Sequence, residues 1–299
     1  MKNNYLLSLI CLFFLVQTQL FGQHPPATLS EGSPASAGMS ATQLDLMDEL
    51  IQEYIDKQWL PGGVFLVARK GKIVYFKSFG NRSGKNSDPY HKDDIFRIAS
   101  MTKAITTISI MQLYEQGKLG LDDPVSNFLP AFQEMKVLQT VNKEDTTCTT
   151  IPAKNSITIR HLLTHTSGIT YGNSPELEMV YAKEGMVSGG LSHPDWTSER
   201  YINKLATLPL AFHPGEMYTY GLNMDVLGRV VEVVSGLSLS TYFQQNIFAP
   251  LGMHDTYFYL PQALQKRLVP VYTETKDRSI FLDFFDRQAY EICELFYTD

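Results

Sequence analysis

Phe96-Arg97-Ile98-Ala99-Ser100-Met101-Thr102-Lys103-Ala104-Ile105 decides how this chain is read. A hydroxyl and an amine stand three residues apart at the start of an apolar run. Residues at that spacing share a helix face, so the Lys103 amine can reach the Ser100 hydroxyl. Serine is a poor nucleophile until a neighbouring base activates it. The run continues through Ile108, Met111 and Leu113 to Glu115, with Gly117 as its stop. A helix apolar on most faces belongs inside a protein, which puts Ser100 at the N-terminal end of a buried helix. There the free N–H groups and the positive dipole end favour developing negative charge. Read alone, the same four residues describe a serine N-cap followed by a surface lysine.

The preceding segment reads as an α/β start. Ser40-Ala41-Thr42-Gln43 opens a helix of the capping-box kind, and Leu44, Met47, Leu50, Ile51, Tyr54 and Ile55 carry it to about Gln58. Gly63–Arg69 and Lys72–Phe76 are two strands joined at Lys70-Gly71, a tight hairpin. Residues 119–215 are broken by prolines, among them Pro124, Pro130, Pro152, Pro194, Pro209 and Pro214, and read as helical or irregular. Asp225 to Val234 is a second apolar helix stopped at Ser235-Gly236, and Leu239–Phe243 begins another.

Two hundred and ninety-nine residues, 44% hydrophobic and 19% charged, give a globular chain with a sizeable core. The net charge of −6 argues against nucleic acid as the main partner, because phosphate binding needs a basic surface. Lys2 followed by the apolar run Tyr5 to Val16 reads as a signal peptide over residues 1–23, with an uncleaved anchor as the alternative. Export to the periplasm or medium follows, with no membrane span in the mature chain. Residues 24–39 form a linker, and 40–299 a single domain with a helical or irregular subregion at about 119–215 and an atypical tail at 273–299. Cys11 falls in the leader. Cys148 and Cys293 could make one bridge, but spacing does not say that they meet. No Cys/His set with zinc spacing is present, and no cofactor is expected. His161 and His165 stand four apart, without the glutamate of a zinc-hydrolase helix, and are expected to serve the structure rather than a metal.

Five segments occur together in order: Phe96–Lys103, Leu121–Val125, Ile159–Gly168, Pro214–Tyr220 and Ile247–Thr256. With them the chain resembles the serine β-lactamase and penicillin-binding-protein superfamily, specifically its class C-like branch, over about residues 40–272. The resemblance implies an α/β fold of the α+β type: an antiparallel sheet flanked by helices, with a helical region beside it. It implies Ser100 as the acyl-accepting nucleophile, Lys103 as its activating partner and Tyr220 as the proton shuttle. A phenol becomes a useful base only when a cation lowers its pKa, and Lys103 is the cation at hand.

The motif around Tyr220 departs from the family at position 222, where Leu stands in place of Asn and Asn223 comes one residue late. That resembles esterase-like members and tilts the expected substrate from a β-lactam toward an ester. The family's third motif, a Lys-Thr-Gly or His/Trp-x-Gly triplet on a late strand, has no counterpart here. A sheet incomplete at the C-terminus is therefore expected, in a truncated or frameshifted product rather than in a divergent member that closes its sheet another way. Two functions follow: an exported serine hydrolase acting through an acyl-enzyme on a small-molecule or peptide acyl substrate (esterase, DD-peptidase or β-lactamase), or an impaired member that at most binds cell-wall peptide or small acyl ligands. Sequence does not reveal the oligomeric state.

Overall fold

A computed structural model describes residues 29–82, 88–172, 174–186, 196–274 and 280–282. The expected signal peptide, most of the atypical tail, Cys11 and Cys293 lie outside them. The chain divides into two compact units, Met1–Lys92 and Asp93–Asp299.

In the first unit, β1 (Ser30–Glu31), helix α1 (Ala41–Asp56), β2 (Gly62–Arg69) and β3 (Lys72–Gly80) follow in order. The Ser40 hydroxyl caps α1 by accepting from the Gln43 N–H. Strands β2 and β3 pair antiparallel from Gly62↔Gly80 to Arg69↔Lys72, with a bulge at Val67/Ala68, and β1 adds in parallel to β3. Lys70 and Gly71 both take left-handed backbone, at φ 52° and 72°, the conformation a two-residue turn needs to match strand twist. Helix α1 packs Leu44 and Ile51 inward. Its Asp48 carboxylate accepts from the Tyr75 hydroxyl at 2.7 Å and from Lys77 Nζ at 2.5 Å, tying the helix to β3.

The second unit is built on α2 (Thr102–Glu115), which packs against a later helix, Asn223–Ser235. Ile110, Leu113, Leu162, Val226, Leu227, Val230, Val231 and Phe243 meet in a hydrophobic core. The burial of α2 differs from the sequence reading. Thr106, Ser109, Ile110 and Leu113 are buried, while Ala104 and Ile108 are exposed. The polar members of the inner face tolerate burial because Thr106 and Ser109 donate to carbonyls four residues back.

Residues 119–215 also hold more strand than expected. β4 (Lys136–Val141) and β5 (Cys148–Pro152) form an antiparallel hairpin, and Leu138 and Lys136 exchange backbone hydrogen bonds with Leu210. Only Val137 of β4 is buried and no residue of β5 is, so no alternating apolar pattern marks it. Three short helices follow: α3 (Ile159–Leu163), α4 (Pro175–Lys183) and α5 (Ser198–Leu205). Then come α6 (Asn223–Ser235) and α7 (Leu239–Phe243), the latter running into a π turn at Gln244–Phe248. β6 (Tyr272–Glu274) pairs antiparallel with β7 (Ile280–Leu282). No single helix among the described residues is long and apolar enough to cross a membrane.

Candidate active site

Ser100 does not cap its helix. It sits in a 3-10 turn, Ala99–Met101, that leads into α2, and the N-cap position of that turn makes no side-chain bond. Ala99 holds φ 42°, a left-handed conformation that a side-chain-bearing residue adopts at a cost. One turn on, Lys103 donates from Nζ to Ser100 Oγ at 3.1 Å. The third expected residue arrives from far along the chain: the Tyr220 hydroxyl donates to the same Oγ at 2.8 Å. Lys103 Nζ lies 4.8 Å from the centroid of the Tyr220 ring. Ser100, Lys103 and Tyr220 are thus brought together, with Oγ between a cation and a phenol.

Tyr220 is placed by the segment before α6. Ala211, Gly215 and Thr219 donate their backbone N–H groups to Gly168, Thr166 and His165, so this segment is bound along the loop after α3. The two histidines diverge. His161 completes a capping box on α3, its Nδ1 accepting from the Thr158 N–H. His165 turns inward, its ring 5.0 Å from that of Tyr220 at a 32° tilt, and Nδ1 accepts from Asn223. Leu222, where the resemblance expects Asn, goes into the core, and the late Asn223 is fully buried with Ser167, His165 and Ile169 as its partners.

Charge at the site follows from these contacts. The hydrogen bond from Lys103, then that with Ser100, lowers the Tyr220 phenol below its ordinary range. Burial works against the charged form of Lys103, but hydrogen bonding with Tyr220 and the field and hydrogen bond of Tyr171 outweigh it and raise its pKa. Tyr171, whose ring is 5.7 Å from that of Tyr220, is itself pushed up by burial and by Asp225. A cation held charged thus stands beside a phenol made more acidic.

Asp225, in the first turn of α6, keeps some exposed surface, but desolvation of its carboxyl lifts it to about 6, with Lys103 pulling the other way. A carboxyl raised on folding from 3.8 to about 6 costs the folded state nothing at low pH. It then costs progressively more as pH climbs through that window. Asp225→Asn is therefore expected to raise stability by roughly 1–3 kcal/mol near pH 8 and by almost nothing near pH 4. Melting curves at the two pH values check this; an equal gain at both would refute it.

A family profile described as beta-lactamase matches residues 47–290. The chain belongs to the beta-lactamase family. Among its relatives in that family, esterase EstB from Burkholderia gladioli is 32% identical over 232 residues, covering 77% of this chain and 56% of EstB. EstCE1, described as a hydrolase with promiscuous acyltransferase activity, superposes with a TM-score of 0.68 at 32% identity, over 82% of this chain and 60% of EstCE1. Simvastatin synthase LovD from Aspergillus terreus gives a TM-score of 0.70 at 31% identity, over 85% of this chain and 63% of LovD. These neighbours show the β-lactamase/transpeptidase-like fold, of the α+β type that the motifs imply. The chain spans about half the length of the curated relatives it matches.

Sequence reasoning reached Ser100, Lys103 and Tyr220 but not the groups around them. His165 was read only as a structural residue, and nothing in the spacing of Tyr171 or Asp225 announced that either lies in the field of Lys103.

Proposed function

We propose that this beta-lactamase-family chain carries the nucleophile of a serine hydrolase that works through an acyl-enzyme on Ser100, with an ester as its preferred substrate. The observation that carries the reading is Ser100 Oγ held between Lys103 Nζ and the Tyr220 hydroxyl. With Lys103 charged, Tyr220 is the group able to give up its proton and act as base. Its phenolate takes the Ser100 proton as Oγ attacks the ester carbonyl, and the positive end of α2 favours the oxyanion that forms. Collapse breaks the bond to the leaving alkoxide, which takes the proton back from Tyr220. Water, or an acceptor alcohol, then gives Tyr220 a proton while attacking the acyl carbonyl, and the proton returns to Oγ as the acid or new ester leaves. Atoms and charges balance without a cofactor.

The surroundings favour esters over β-lactams. Asn223 is buried in the core with its amide bonded to Ile169, so it does not stand in for the Asn of the penicillin-recognising motif. Met101, next to Ser100 in sequence, and Met217 and Tyr218, just before Tyr220, are 70%, 57% and 67% exposed, apolar surface that suits an uncharged acyl group. The names of the relatives, an esterase and a hydrolase with acyltransferase activity, agree with that chemistry. Export, argued from Lys2 and the run Tyr5 to Val16, belongs to this proposal.

A fluorophosphonate should add one adduct to the wild-type protein, located at Ser100 by peptide mass, and none to Ser100→Ala. Hydrolysis of a p-nitrophenyl ester should vanish in the same variant. Equal labelling of both proteins would remove Ser100 from the reaction.

A further inference from the structure

Behind Tyr220 lies a polar network whose donors and acceptors admit one arrangement. Asn223 Nδ2 donates to the Ile169 carbonyl at 3.2 Å and contacts His165 Nδ1 at 3.0 Å; Asn223 Oδ1 accepts from Ser167 Oγ at 2.6 Å. Ser167 Oγ in turn accepts from the Ile169 N–H at 3.0 Å. A carbonyl can only accept, so the amide nitrogen of Asn223 must face Ile169, and the same nitrogen must donate to His165. His165 Nδ1 is then a lone pair, and its proton sits on Nε2. Ser167, Asn223 and His165 are all buried. Burial, and after it the charge of Lys103, hold the imidazole below its ordinary pKa. Among the described residues, the titratable groups that face it are Lys103 from α2 and Tyr218 and Tyr220 from the segment before α6.

We propose that His165 is a positioning residue: a neutral imidazole, locked by Asn223, against which the Tyr220 ring rests so that its hydroxyl stays on Ser100. The role rests on the acyl-enzyme reading above, since that chemistry is what needs the phenol held. A flat ring 5.0 Å away at a 32° tilt limits how far Tyr220 can swing from Oγ and from Lys103. Neutrality matters as much as shape. An imidazolium there would repel Lys103 and lose its bond from Asn223, which has no acceptor to turn toward it without stranding the Ile169 carbonyl.

His165→Asn separates the ring from the loop. Asparagine tolerates the left-handed backbone that His165 holds at φ 55°, and its Oδ1 can accept from Asn223. Fluorophosphonate labelling of Ser100 should slow on the order of ten- to a hundredfold. The ascending limb of its pH profile should move up as the phenol drifts from the cation that lowers it. The Tyr220 titration, followed by NMR of 13C-labelled tyrosine and assigned with Tyr220→Phe, should move the same way whether or not the protein labels. A wild type that never labels at Ser100 sinks the proposed function and leaves that titration to decide the positioning role. A folded His165→Asn with an unmoved pH limb and phenol titration overturns the role, even if labelling slows. Should the variant fail to fold, 15N histidine spectra of the wild type decide. A ring neutral and Nε2-protonated from about pH 8 to about pH 6 supports the proposal. A charged ring or the opposite tautomer in that range overturns it.

Discussion

Tyr220→Phe is expected to slow acylation of Ser100 by about 10²- to 10⁴-fold, the usual worth of a positioned acid–base group. The change removes one oxygen and leaves the ring, so the contacts with His165 and Tyr171 at 5.0 and 5.7 Å remain and the fold should hold. What disappears is the hydroxyl 2.8 Å from Oγ, and with it the group whose acidity Lys103 enhances. Lys103 loses a partner as well. Its pKa is raised against the effect of burial chiefly by hydrogen bonding with Tyr220, so it should fall in the variant and leave the lysine as the base nearest Oγ. The residual labelling rate should therefore rise with pH as Lys103 deprotonates. Rates measured across pH by intact mass check both points. A Tyr220→Phe protein that labels at the wild-type rate would take Tyr220 out of the reaction and leave the lysine alone with the serine.

The site was legible in the sequence to the extent that it is local. Ser100 and Lys103 stand on one helical turn, and a three-residue spacing converts directly into a distance. Tyr220 is 120 positions away, and no periodicity connects it to Ser100. Only the ordered motifs did, because they carry the fold that closes the gap. The same distinction explains the rest. Helix α1 and the β2–β3 hairpin follow from capping, helical spacing and a Lys-Gly turn, all short-range signals. The β4–β5 hairpin escaped because its strands are mostly exposed: backbone bonds join them to each other and to Leu210, and only Val137, Leu138 and Val141 reach the core, without a regular alternation. Asn223 shows how a motif can mislead. It looks like the family's asparagine displaced by one residue, but the core takes both positions: Leu222 is buried, and so is Asn223, where Ser167, His165 and Ile169 occupy its amide.

Gly221 is where the two halves of the site are pressed together, and Gly221→Ala is expected to cost at least ~2 kcal/mol of stability and on the order of 10²-fold in Ser100 labelling. A β-carbon there would lie 2.5 Å from the Ile169 carbonyl oxygen and 2.6 Å from Thr170 Cα. Both obstacles are backbone, so no side chain can swing aside to admit the methyl group. Relief requires the loop carrying His165, Ile169 and Tyr171 to move away from the segment carrying Tyr220. That separation would stretch the Asn223 bonds to His165 and Ile169, loosen the ring contacts, and draw the phenol off Oγ together. Loss of labelling should therefore exceed what unfolding explains: at a temperature where the variant is still folded by circular dichroism, the rate should already be low and the Tyr220 titration displaced upward. A folded Gly221→Ala protein with wild-type labelling and an unshifted phenol would mean that the loop yields without carrying the site with it. The close approach of residues 169–170 to 221 would then have no part in holding Tyr220 on the serine.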